Sequence, residues 1–143
     1  MAAAARSAAV DAALYGVDLK LEFGPRGVDL AGSASGLDTV AGLDNLVQGL
    51  SLRLLVDHGD LAQIGHPRYG SRIRDLLGEP MDRANRELIR RYVRRALLDD
   101  PRVQEVVQVV VTPRGDAHDA LDVRAVVTAI DGRSAPLEVT LDG

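Results

Sequence analysis

Between Asp82 and Leu98 apolar residues recur at helical spacing, and from Val103 onward they are β-branched and fall in three runs separated by turns. That change of period, at Asp99-Asp100-Pro101-Arg102, constrains the fold more than any other feature. Helix first and strands after, with no helix between the strands, excludes a parallel βαβ sheet and predicts an α+β layout with a C-terminal antiparallel meander.

The long helical stretch has Asp82 as its candidate N-cap and ends near Leu98. Leu88, Ile89, Tyr92, Val93, Ala96 and Leu97 form its apolar face, and Arg83, Glu87, Arg90, Arg91 and Arg94 fall opposite. The first strand, Val103 to Thr112, carries Val106, Val107, Val109, Val110 and Val111, which predicts a strand covered on both sides. Strands from Leu121 to Ile130 and Leu137 to Leu141 follow, with turns at Pro113-Arg114-Gly115-Asp116 and Asp131-Gly132-Arg133-Ser134.

Upstream, Val17, Leu19, Leu21 and Phe23 alternate with Asp18, Lys20 and Glu22, predicting one half-buried strand ended by Gly24-Pro25-Arg26-Gly27. Val28 to Leu30 and Leu37 to Val40 read as a small hairpin or loop. Leu43, Leu46, Val47, Leu50 and Leu54 predict an amphipathic helix to about Val56, stopped by Asp57-His58-Gly59-Asp60, with Gly59 as a candidate C′ residue. Leu61 to Pro67 reads as a connecting loop, and Tyr69 to Leu77 as a short helix closed by Gly78-Glu79-Pro80.

The 143 residues predict one small domain, 17–143, preceded by an Ala-rich arm, 1–16. The arm is interrupted by Arg6 and Asp11, has no signal-peptide core, and predicts a cytoplasmic product. Cysteine is absent, so disulfides, thiolate metal sites and cysteine nucleophiles are excluded. Four aromatic residues, Phe23 and three tyrosines, offer no platform for stacking bases or sugars.

The functional classes narrow further. His58, His66 and His118 fall in three separate predicted loops, without the spacing of a metal site, so neither metal nor cofactor is expected. There is no Gly-x-Ser-x-Gly elbow, and Gly24-Pro25-Arg26-Gly27 is a turn rather than a phosphate loop. Arg83, Arg86, Arg90, Arg91, Arg94 and Arg95 make a basic stripe that suits an acidic neighbour or a nucleic acid. The net charge of -4 and the lack of interleaved aromatics favour a protein-facing or solvated stripe.

Three motifs in order carry a resemblance. Gly42-Leu43-Asp44-Asn45-Leu46-Val47-Gln48-Gly49-Leu50-Ser51-Leu52-Arg53-Leu54-Leu55 comes first, then Ile64-Gly65-His66-Pro67-Arg68-Tyr69-Gly70-Ser71-Arg72-Ile73 with Glu79-Pro80 after it, then Asp100-Pro101-Arg102-Val103. Together, over roughly 17–111, they resemble the GPW-type baseplate wedge family of contractile phage tails, where Glu-Pro-Arg typically stands where this chain has Asp100-Pro101-Arg102. Asp keeps the charge and shortens its reach.

The resemblance implies a non-enzymatic assembly subunit at the junction of baseplate and sheath. The host machine would be a phage tail, a tailocin, a type VI secretion system or an extracellular contractile injection system. The implied partners are the sheath protein and other baseplate wedge proteins, with the central spike or hub as a further candidate, in multiple copies of a symmetric assembly. No small-molecule substrate, cofactor or nucleic acid is implied. The subunit would template the first sheath ring by pairing strands, either along Val103 to Thr112 or along Leu137 to Leu141.

The candidate partner-binding residues are Asp100, Pro101, Arg102, Val103, Val107, Val109 and Val111, with Arg90 and Arg94 on the helix. The alternative is a small nucleic-acid-associated or regulatory adaptor using the Arg-rich helix face. Members of the family are also sometimes labelled lysozyme-like. A glycosidase needs paired carboxylates, one in an apolar setting. Glu22 and Glu138 on wet strand faces, Glu87 on a polar helix face and Glu79 in a turn do not predict one.

Overall fold

In the computed structural model, residues 2–24, 27–115 and 119–142 are described, and the side chains from 8 onward. The class is α+β, as the sequence predicts, with three helices ahead of a three-stranded antiparallel meander. The chain divides into two compact units, Met1–Gly49 and Leu50–Gly143, with the boundary inside the second helix.

In the first unit, α1 (Ala2–Tyr15) is followed by six short strands and the start of α2 (Gly42–Leu55). The single strand expected over 17–23 is two strands. β1 (Val17–Leu19) pairs with β6 (Thr39–Ala41), whereas β2 (Leu21–Gly24) pairs with β3 (Gly27–Leu30). Lys20 is the hinge between them: its N–H donates to Asp38 O at 2.9 Å and its carbonyl accepts from Ala31 N at 2.8 Å. A smaller ladder joins β4 (Gly32–Ser33) to β5 (Gly36–Leu37).

The expected buried face of this region is not present. Val17, Leu19 and Phe23 are exposed, because two-stranded ladders have no second layer over them. Among its described residues, those buried are Tyr15, Ala31, Gly42, Asn45 and Leu46. Asn45 Nδ2 donates to Tyr15 O at 3.0 Å and to Asp18 Oδ2 at 3.1 Å, so a buried amide is satisfied by the chain it packs against.

The second unit holds the meander. α3 (Arg83–Leu98) begins where the sequence predicts: the Asp82 side chain accepts from Asn85 N at 2.8 Å. Ile89, Val93, Ala96 and Leu97 are buried, and α3 packs on β7 (Val103–Pro113). β8 (Ala120–Ala129) lies between β7 and β9 (Ser134–Asp142). The short helix expected over 69–77 is a 3-10 turn, Ile73–Leu76, and another, Ala62–Ile64, lies within the expected loop. Gly59 stands in a turn past the helix end, with φ 93°.

β7 departs from the expected strand covered on both sides. Val103, Val106, Val109 and Val111 are buried, while Val107 and Val110 are exposed. Register shifts between Val103 and Glu105 and between Val106 and Gln108 decide that Val106 and not Val107 faces inward, while Val110 is outward by simple alternation on a face left open to solvent. Each bulge adds a residue and resets which side chains face the core, so the buried spacing is three, three and then two.

Candidate functional site: an ion-paired corner and a free strand edge

The turn from α3 into β7 is fixed by one carboxylate. Asp100 has 2% of its surface exposed. Its Oδ1 accepts from Arg102 N at 2.9 Å and Arg102 Nε at 3.0 Å, and its Oδ2 accepts from Arg102 Nη2 at 2.7 Å. Pro101 between them limits the backbone, so the fork closes on a stiff corner. A second cation approaches from α2, with Arg53 Nη2 at 3.8 Å from Asp100 Oδ2. The Arg53 guanidinium in turn lies 4.6 Å from the centroid of the Tyr69 ring, a cation–π distance.

Burial pushes the Asp100 carboxyl up, but its hydrogen bonds from Arg102 and the charges of Arg102 and Arg53 outweigh this and hold it below the usual carboxylate range. Burial pushes the Tyr69 phenol up; the Arg53 and Arg102 charges oppose this and the Asp100 charge adds to it. A carboxylate kept ionised in this way cannot serve as a general acid near neutrality. Glu87 and Glu138 are exposed and ion-paired to Arg90 and Arg124, at 3.2 Å in each case. Glu22 and Glu79 are exposed. Among the described residues no cluster of metal-ligating side chains occurs. His58 and His66 stand apart in loops, and His118 lies outside the described residues.

The sheet has two edges, and their backbone groups differ in availability. Ala129 N–H donates to Arg133 O at 2.8 Å, which makes that pair a closely hydrogen-bonded one. Alternation along the ladder then turns the N–H and C=O groups of Ala135, Leu137, Val139 and Leu141 toward β8, and those of Ser134, Pro136, Glu138, Thr140 and Asp142 away from it. Pro136 has no N–H, but at an outward position the sheet loses nothing by that. From Glu138 to Asp142 the outer edge of β9 is an unbroken row of donors and acceptors.

The outer edge of β7 is partly occupied. Val103 N–H donates to Asp100 O at 3.1 Å, and Val106 O accepts from Arg94 Nη1 at 3.3 Å. Two bulges interrupt the row, and Pro113 ends it without a donor. Only Val109 and Val111 remain aligned for pairing.

The sequence-selected residues therefore divide. Asp100, Pro101, Arg102 and Val103 share the corner. Val103, Val109 and Val111 have buried side chains and can meet a partner only through backbone, whereas Val107 is 56% exposed. Arg94 reaches β7, and Arg90 pairs with Glu87. Sequence reasoning named Leu137 to Leu141, which holds Glu138 and Thr140, as one of two candidate edges, but did not select Arg53, Tyr69 or Pro136 for the site. Of these only Pro136 carried a signal, since a proline beside a strand pattern marks an edge.

No protein-family model matches the chain, and no curated protein matches it. Among solved structures, it is similar in fold to a Geobacter sulfurreducens protein called a "putative tail lysozyme", with a TM-score of 0.59 and 20% identity. The match covers 69% of this chain and 88% of that one. At that identity the likeness shows a shared α+β fold.

Proposed function

We propose that the chain is a structural, non-enzymatic subunit of a contractile tail-like assembly. More particularly, it is a baseplate wedge subunit of the GPW type that joins baseplate to sheath and receives a strand of the first sheath ring on β9. The observation that carries this reading is the row of outward backbone groups from Glu138 to Asp142, beside a β7 edge already partly occupied. The fold shared with a protein named for a tail supports it, as do the three motifs that end in Asp100-Pro101-Arg102.

On this reading the Asp100–Arg102 corner braces the sheet and the strand edge does the binding. Main-chain hydrogen bonds supply affinity in such pairing, and alternate side chains supply register. The partners are the sheath protein and neighbouring wedge chains, in multiple symmetric copies. The protein is made in the bacterial cytoplasm and works within the particle.

Thr140→Pro tests the edge directly. It removes an outward donor and leaves the backbone bonds to β8 in place, as Pro136 already does. Toward β8 it loses only the side-chain bond from Thr140 Oγ1 to Asp122 Oδ1 at 2.6 Å, which Thr140→Val also removes and so controls for. The proline variant is expected to fold and to lose capture of sheath protein from native lysate. Capture at the wild-type level would overturn the assignment of β9.

A further inference from the structure

β9 is an edge strand of the meander, and its two faces differ in kind. Ala135, Leu137, Val139 and Leu141 face the core and are at most 5% exposed, so the apolar layer runs out to the last strand. Ser134, Pro136, Glu138, Thr140 and Asp142 lie on the solvent face. That face carries two carboxylates, Glu138 and Asp142, and no basic residue occurs from Ser134 to Asp142.

Glu138 meets Arg124 of β8, with Arg124 Nε 3.2 Å from Glu138 Oε1, but both side chains are more than half exposed. Such a pair is weak, and a second cation can reach Glu138 from the open edge. Thr140, between the two acids, is already engaged, since its Oγ1 donates to Asp122 Oδ1 at 2.6 Å. The charge of the usable edge therefore sits at its two ends, with the core-facing Val139 and Leu141 between them.

A strand added to β9 sets its side chains beside those of β9, face for face. We infer, resting on the strand-edge reading of β9, that the occupant is a strand of a different protein with the alternation basic, apolar, any, apolar, basic. Its basic residues stand across from Glu138 and Asp142, where opposite charges on neighbouring strands attract, and its apolar residues extend the layer of Val139 and Leu141. The pattern reads the same in both directions, so it serves parallel and antiparallel pairing alike.

A second copy of this chain does not fit the edge. Antiparallel pairing of two β9 strands through Glu138, Thr140 and Asp142 centres on Thr140 and sets Glu138 directly across from Asp142 of the second copy, at both ends. β7 offers no better match, since Val103–Pro113 contains Glu105 and no basic residue. The two acids thus guard the edge against self-association, as charges on exposed edge strands do, while admitting a basic strand.

The test uses the full chain and two labelled peptides of nine residues, the length of β9, identical except for Lys or Glu at the two charged positions. Fluorescence anisotropy is read with the wild-type chain, with Glu138→Lys/Asp142→Lys and with Thr140→Pro. All three substituted side chains are exposed, and circular dichroism checks that each variant folds. The wild-type chain is expected to bind the Lys peptide about tenfold more tightly than the Glu peptide, and the charge-reversed variant to prefer the Glu peptide. Asp142→Lys alone, at the strand's end, should narrow the preference, and Thr140→Pro should lose both peptides. Equal binding of the two peptides by the wild-type chain, lost in Thr140→Pro, keeps the edge and overturns the basic strand. A Lys preference that persists in the charge-reversed variant or in Thr140→Pro overturns it too, and binding of neither peptide overturns both the edge and its charge rule.

Discussion

Arg102 grips Asp100 through its own backbone N–H, its Nε and its Nη2, so one arginine supplies three of the donors to a carboxylate that water barely reaches. The consequence is mechanical as well as electrostatic. The end of α3 and the start of β7 are locked at a fixed angle, and Ile130 N–H donates to Arg102 O at 3.1 Å, so the far end of β8 is tied to the same corner.

Arg102→Ala removes the two guanidinium donors, keeps the backbone N–H, and leaves the Asp100 charge buried with Arg53 as its nearby cation. Breaking a buried pair from one side costs roughly 3–5 kcal/mol, and the part-exposed Arg102 places this case toward the lower end. Chemical denaturation should show the loss. Asp100→Asn leaves the Arg102 and Arg53 guanidinium groups, 25% and 15% exposed, without their anion and sets an amide NH2 against an arginine donor. It too should therefore lower the denaturation midpoint, and an unchanged midpoint in either variant contradicts the account.

The same pair sets a pH dependence. The folded carboxyl of Asp100 titrates below its ordinary value of 3.8, so in acid the unfolded chain binds the proton first. The contribution is complete above that ordinary value and is lost as pH falls through the lowered folded value. Denaturation from pH 7 down to pH 3 should therefore show a steeper loss for the wild-type chain than for Asp100→Asn. Parallel curves would remove Asp100 from the cause.

Gly70 makes a separate prediction. Its φ is 101°, and a Cβ there would lie 2.5 Å from Val56 O and 2.7 Å from Asp57 O, backbone atoms that cannot swing aside. Ser71 N–H donates to Val56 O at 2.9 Å at the same crossing, so the loop is fastened where the side chain would intrude. Gly70→Ala should cost at least about 1–3 kcal/mol from backbone conformation alone. A thermal midpoint equal to that of the wild-type chain would show that the crossing is looser than described.

The sequence made α3 legible to the residue, because an Asp N-cap, a clean apolar stripe and Pro101 beyond the C-terminus act locally. β7 was legible as a strand but not as a surface. Bulges are set by cross-strand register, which a period of two cannot reveal in Val106-Val107-Gln108-Val109. The 17–23 segment failed for a related reason, since its two halves pair with different partners on either side of Lys20. At the corner, Asp100 and Arg102 were visible as neighbours, whereas Arg53 and Tyr69 reach it only through tertiary packing.

The central claim is that this chain works inside a tail-like particle, and affinity purification of the tagged chain from its native cells under mild lysis tests it most directly. The account predicts that sheath and tube proteins co-purify and that negative-stain images show syringe-like particles carrying the chain. Recovery of a free monomer without those partners would contradict it.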